Sequence, residues 1–166
     1  MSDVRDRIER RVREDPGVHF NELVRQLDLA AGQVQHHVRS LADDGSVRGA
    51  KLFGRTHYYP PEYDAWERRA LALLRRETSA EIVATLLDEG PSRPVDVAGR
   101  VGIARSTLAW HTDRLVEAGL VEKRHDGRQL VVADRIRTAE LLEAADPSLP
   151  ERLVDRFTRL VDGLLE

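Results

Sequence analysis

The sequence predicts a mainly α fold with small β-hairpins (α+β), one helical unit written twice and followed by C-terminal helices. Three observations lead there. Setting LADDGSV at Leu41 over LVEAGLV at Leu115 gives an offset of 74 residues. The same offset places Leu23 on Val97, Leu27 on Val101, Leu29 on Ile103, Val34 on Leu108, His37 on His111 and Gly45 on Gly119, with no gap. Within each copy the apolar residues keep helical spacing, and after each shared glycine the pattern turns to β-prone runs broken by a turn.

Taken in order, Val4 to Glu14 and Glu81 to Glu89 read as opening helices, stopped by Asp15-Pro16-Gly17 and by Gly90-Pro91. Short second helices follow at Asn21 to Leu27 and Val95 to Val101, where Leu23 with Leu27 and Val97 with Val101 form buried i, i+4 pairs. After about three residues come third helices, Ala31 to Asp43 and Arg105 to Ala118, ended by Gly45 and Gly119. A hairpin is expected from Ser46 to Phe53 and Thr56 to Tyr59 around Gly54-Arg55. Another is expected from Leu120 to His125 and Arg128 to Val132 around Asp126-Gly127, since a type I′ turn needs positive φ at both central residues.

Between the copies, Glu62 to Arg76 reads as a linker helix with the stripe Trp66, Ala70, Leu71, Leu73 and Leu74. After them, Arg137 to Ala145 reads as a helix, Asp146-Pro147-Ser148 as a break, and Pro150 to Leu165 as a last helix with Pro at its first position. The expected organisation is a first unit at 1–61, a linker at 62–77, a second unit at 78–134 and C-terminal helices at 135–166. The last helix sets Leu153, Phe157, Leu160, Val161, Leu164 and Leu165 on one face. That face either returns onto the linker helix or meets its copy in a homodimer, and dimerisation is the preferred reading.

Composition bounds the function. Hydrophobic residues are 41% and charged residues 33% of the chain, and no apolar run approaches the roughly 20 residues of a membrane span. The opening MSDVRDRIERR lacks an apolar centre, so neither a secretory signal nor a transit peptide is expected, and cytoplasmic residence follows. The absence of cysteine excludes disulfides and thiolate metal sites. There is no Gly-rich phosphate loop, nucleophile elbow or His-x-x-x-His pair, so neither catalysis nor a cofactor is implied. The net charge of -3 is uneven: residues 1–62 hold 10 basic and 10 acidic side chains, 63–136 hold 12 and 12, and 137–166 hold 4 and 7. The acid excess therefore sits in the tail.

The run Val101-Gly102-Ile103-Ala104-Arg105-Ser106-Thr107-Leu108-Ala109-Trp110-His111, continued by Arg114-Leu115 and by Glu117-Ala118-Gly119-Leu120-Val121, resembles the winged helix-turn-helix regulators, the ArsR and MarR groups in particular. In that pattern a polar step opens the recognition helix and Gly-Leu-Val leads into the wing. The first copy, Leu29-Ala30-Ala31-Gly32-Gln33-Val34-Gln35-His36-His37, is similar but looser. The resemblance covers about residues 4 to 133 and implies two tandem winged helix-turn-helix units in a transcription regulator that binds double-stranded DNA. The Arg-rich, acid-rich composition resembles that of salt-adapted archaeal or actinobacterial proteins. Two departures stand out. Ala30 and Ala104 replace the usual N-cap Ser, which forgoes about 1 kcal/mol each, with Ser106 a candidate substitute. The ligand residues of metal-sensing relatives are missing, so a metal sensor is not expected.

A recognition helix presents its solvent-facing N-terminal residues to base edges in the major groove while the wing reaches phosphate or minor groove. In the first copy those residues are Gln33, Gln35, His36 and Arg39, and no acid lies between Ala31 and Ala42. In the second they are Arg105, Ser106, Thr107, Ala109, Trp110 and Arg114. The first wing offers Arg48, Lys51, Arg55 and His57 with no Asp or Glu from Ser46 to Tyr59; the second offers Lys123, Arg124 and Arg128, diluted by Glu122 and Asp126. Trp110 either inserts against the DNA backbone or packs under the linker. His37 and His111 are expected to be half-buried packing or phosphate-contacting groups more than a pH switch. Tyr58, Tyr59 and Tyr63 are expected to close the first wing against the linker helix. The competing reading is a tandem winged-helix scaffold, similar to kleisin-associated proteins of chromosome segregation, that holds protein. Its recognition helices would be acidic, and these are not.

Overall fold

The computed structural model describes residues 3–146. The expected last helix, with Leu153, Phe157, Leu160, Val161, Leu164 and Leu165, lies outside the described residues. The first unit comprises α1 (Asp3–Glu14), β1 (Val18–His19), α2 (Phe20–Leu27), α3 (Ala31–Asp43), β2 (Arg48–Leu52) and β3 (Arg55–Tyr59). Then come α4 (Ala65–Leu74), α5 (Glu77–Glu89), α6 (Pro94–Val101), α7 (Arg105–Glu117), β4 (Val121–Arg124), β5 (Gln129–Val132) and α8 (Arg135–Ala145). The chain is thus mainly helical, with small antiparallel hairpins in two tandem winged helix-turn-helix units.

The repeat holds at the level of backbone. Helices α2 and α6, and α3 and α7, begin and end 74 residues apart, as the sequence offset requires. Short turns join them, reversed by left-handed residues, Asp28 at φ 51° in one copy and Gly102 at φ 80° in the other. After α3 and α7, Ser46 N–H returns to Leu41 O at 2.9 Å and Leu120 N–H to Leu115 O at 2.9 Å. This is the glycine-ended Schellman closure that frees the chain to start a wing. An unforeseen pairing is also repeated: Val18 in β1 pairs with Tyr58, and Ser92, 74 residues on, bridges to Leu130.

Three expectations are corrected. The linker does not run as one helix over Glu62 to Arg76: α4 starts at Ala65 behind a capping box made by Asp64 and Glu67, and ends at Leu74. Arg76 then takes an extended conformation (ψ 125°) and α5 begins at Glu77, four residues before the expected Glu81. At this break Arg75 is drawn to Asp15 and Glu22 of the first unit, the latter at 2.7 Å, while Arg76 turns to Phe53 O. The first hairpin turns on Phe53-Gly54, at φ 52° and 82°, not on Gly54-Arg55, because a two-residue turn with Gly second leaves Leu52 to pair with Arg55. In the second hairpin Asp126-Gly127 does form the bend, but pairing stops at Arg124 with Gln129.

Two cores divide the molecule, and the boundary runs through β3. Ile8, Val12, Leu23, Val34, Val38, Leu41 and Tyr58 fill the first. Tyr59 belongs to the second, with Leu71, Leu73, Leu74, Ile82, Leu86, Leu108, Leu115 and Leu120. Successive strand residues face opposite ways, so the first wing is lined on one face by its own unit and on the other by α4. Tyr59 also donates its hydroxyl to Arg68 O at 2.7 Å, and Tyr63 packs against the same core, as the sequence led one to expect of both; Tyr58, expected there too, instead faces the first unit's own core, because it is on the opposite face of β3. On its far side α4 is clasped by the second unit: Trp66 Nε1 donates to Gly119 O at 3.2 Å. Arg137 of α8 stands 4.4 Å over the Trp66 ring and pairs with Asp64 at 3.0 Å.

Candidate nucleic-acid interface

Helix α3 buries Val34, Val38 and Leu41 at i, i+4, i+7 and so turns Gln33, Gln35, His36 and Arg39 outward, all exposed. Its N-cap Ala30 makes no side-chain bond. That leaves the first N–H groups of the helix uncapped by protein side chains, the arrangement that favours an anion at a helix start. The exposed face is free of carboxylates until Asp43 and Asp44, and Asp44 is occupied by Ser46, whose N–H it accepts, and then by Arg5, which hold its carboxyl below the usual range. His37 is half-buried, its ring 5.2 Å from that of His36.

Helix α7 repeats the design. Leu108, Thr112 and Leu115 are buried, with Thr112 Oγ1 donating to Leu108 O at 2.9 Å. Arg105, Ser106, Thr107, Ala109 and Trp110 are exposed and Arg114 is half-exposed. Ser106 does not take over the missing cap, because α7 has no side-chain cap bond at all. A groove lined by Pro94, Arg105, Ser106, Ala109, Lys123 and Gly127 separates the start of α7 from the second wing. Trp110 is 49% exposed, and Arg114, one turn on, stacks over it at 3.5 Å. The tryptophan that packs between linker and second wing is Trp66. His111 is half-buried, its Nδ1 lies 3.4 Å from Ser79 Oγ, and burial with Arg114 and Arg76 nearby pushes its pKa down.

The wing residues divide. Arg48, Lys51 and Arg55 are exposed. His57 is not: it is 4% exposed and its Nδ1 is 2.6 Å from Gly17 O, so its place among DNA-contacting residues is corrected. A carbonyl only accepts, so Nδ1 carries the proton. The reason is strand parity. Arg55, His57 and Tyr59 share a face with Ala50 and Leu52, which turns to the second core and the Gly17 turn at its base, burying His57 and Tyr59 while Arg55 at the tip stays exposed. In the second wing Lys123 pairs with Asp113 at 3.0 Å and Arg124 with Glu122 at 3.6 Å, while Arg128 is exposed. Arg76, which the sequence presents only as a linker flank, stands at the wing tip and donates to Phe53 O at 3.3 Å. Nothing in its local sequence distinguishes it from Arg75, which is committed to Asp15 and Glu22.

Among the described residues no group of acidic, histidine or cysteine side chains is placed to hold a metal ion, and no helix is long and apolar enough to cross a membrane.

Residues 2–71 match the family model of an N-terminal HTH domain, and residues 75–122 match one described as winged helix-turn-helix DNA-binding. The chain therefore carries two helix-turn-helix domains. It is similar to an uncharacterized HTH-type transcriptional regulator, MJ1398, of Methanocaldococcus jannaschii, at 25% identity over 131 residues, 79% of this chain. The chain spans 33% of the length of that relative. Among solved structures, the mRNA-binding domain of elongation factor SelB from E. coli in complex with SECIS RNA is similar over 81% of this chain and 100% of that one. Its identity is 17% and its TM-score 0.31, too low to bear on how the two units are arranged or used.

Proposed function

We propose that this pair of helix-turn-helix domains makes the chain a sequence-specific, double-stranded DNA-binding transcription regulator. One observation carries the reading: both recognition helices, α3 and α7, present polar and cationic side chains on their outer N-terminal faces with no carboxylate among them. Gln35 suits adenine and Arg39 or Arg105 suits guanine or phosphate in a major groove. The similarity to a transcriptional regulator supports the same reading, and the Val101 to Val121 run favours ArsR/MarR-like use of the second unit. Its site of action is then the cytoplasm. A homodimer formed through Leu153, Phe157, Leu160, Val161 and Leu164 belongs to the same proposal, and sedimentation equilibrium at the mass of one chain would exclude it.

The test is a fluorescence titration of labelled duplex across a salt series, followed by selection from a random duplex pool. With about six phosphates neutralised, counterion release predicts a log-log slope near -5. Selection should yield a recurrent motif. A flat salt response would favour a protein-holding scaffold, and steep salt dependence without any motif would reject sequence specificity.

A further inference from the structure

The tip of the first wing and the second recognition helix, remote in sequence, meet at one seam, and Arg76 stands in it. Its guanidinium lies 5.5 Å from the Phe53 ring and Nη2 donates to Phe53 O at 3.3 Å, so Arg76 is held against the turn that leads into Arg55. One turn along α5, Ser79 Oγ lies 3.4 Å from His111 Nδ1, which sets the start of α5 against α7 just before Arg114. Arg114 in turn is pinned over Trp110 at 3.5 Å. Arg55 of the first unit and Arg114 of the second therefore border the seam in which Arg76 stands, and both act on Arg76 electrostatically.

Among the described residues none of the three forms an ion pair, although most other basic groups near the units' contacts do: Arg75 with Asp15 and Glu22, Lys123 with Asp113, Arg137 with Asp64. Arg55 has only His19 Nε2 at 3.2 Å. Arg76 is half-buried, and burial, together with the nearby Arg114 and Arg55, pushes its pKa down. Like charges gathered without an ion-pair partner raise the energy of the free protein, and an anion placed between them relieves it.

We propose that this seam binds one phosphate group, with Arg55, Arg76 and Arg114 as its ligands, and that the phosphate belongs to the backbone of the duplex seated on α7. The proposal rests on the DNA-binding reading above. Its consequence is that the first wing serves the recognition helix of the second unit, so the two units grip the duplex as one body.

The full chain is to be compared with Arg76→Gln, Arg114→Gln, the double variant and the charge-preserving Arg76→Lys, each checked for folding by circular dichroism. Labelled duplex is titrated across a salt series. In a separate arm, melting temperature is followed in inorganic phosphate against chloride at matched ionic strength. Each Gln variant is expected to weaken binding about 5- to 10-fold on selected and shuffled duplexes alike and to lower the salt slope by about 1. Arg76→Lys should keep the slope, and the double variant should lose less than the product of the single losses, because both ligands serve one phosphate. If the parent chain binds DNA and the Gln variants match it in affinity and slope, the duplex is not the source. A phosphate-induced rise in melting temperature, present in the parent and lost in Arg76→Gln, would then assign the seam to a free phosphate. No response in either arm overturns the site. A parent chain that fails to bind duplex at any salt defeats the functional reading, and the phosphate arm alone then decides the seam.

Discussion

Gly17 sits where the Asp15-Pro16-Gly17 turn passes under the linker, and replacing it with Ala should loosen the first unit from α4. Its φ is +89°, and a Cβ there would stand 3.1 Å from Arg75 Cδ, 3.3 Å from Tyr59 Cε1 and 3.5 Å from Leu71 Cβ. Two costs add. An L-residue with positive φ is strained by about 1 to 2 kcal/mol. Overpacking against a ring and a buried ion pair adds about 1 to 3 kcal/mol, since Tyr59 is locked by its bond to Arg68 O and Arg75 by two carboxylates. Gly45 supplies the control. Its φ is +78° with nothing within 4 Å of the added Cβ, so Gly45→Ala carries the backbone cost alone. Urea unfolding followed by far-UV circular dichroism should show Gly17→Ala weaker than the parent by about 2 to 5 kcal/mol and Gly45→Ala by about 1 to 2 kcal/mol. Trp66 fluorescence should report the Gly17→Ala loss too, because Trp66 sits on the α4 side of that contact. Equal losses for the two variants would refute the claim that the turn is packed against the linker.

Further outcomes follow from the same contacts. Arg75→Met should cost about 2 to 4 kcal/mol in urea unfolding, because Asp15 and Glu22 are left as partly buried carboxylates without their cation. A loss below 1 kcal/mol would show that solvent already screens them. His57 has its pKa pushed below 6.5 by burial, so between that lowered value and about 6.5 the unfolded chain binds more protons and acidification favours unfolding. Stability measured from pH 7 to pH 5 should therefore fall, and His57→Gln should flatten that fall; an unchanged slope would place the acid sensitivity elsewhere. For DNA, Arg55→Ala with Lys51→Ala should weaken binding to all sequences about equally. Gln35→Ala or Thr107→Ala should chiefly relax base preference, by about 1 to 3 kcal/mol of discrimination. The reverse pattern, read on selected and shuffled duplexes at one salt concentration, would remove α3 and α7 from the major groove.

Most of the architecture was legible in the chain because it depends on local signals. The 74-residue offset, the i, i+4 pairs Leu23 with Leu27 and Val97 with Val101, and the glycines at 45 and 119 each act within a few residues, so the helices appeared nearly at their observed bounds. The outward faces of α3 and α7 followed from the same periodicity, since burying Val34, Val38 and Leu41 leaves Gln33, Gln35, His36 and Arg39 no other direction. What depended on contacts between distant segments was not legible. Alternation in β3 says that His57 and Tyr58 face opposite ways, but at the base of this wing, from His57 to Tyr59, both faces are covered, and which one receives α4 is decided by Tyr59, Leu71 and Gly17 packing together. The break of the linker after Leu74 sits where Arg75 reaches carboxylates 60 and 53 positions earlier and Arg76 reaches Phe53 O, contacts that no local pattern announces. Arg75 and Arg76 are identical neighbours in the sequence. Only the fold gives one a pair of acids and leaves the other among cations, because a charge's role is set by what the tertiary structure places within a few ångströms of it.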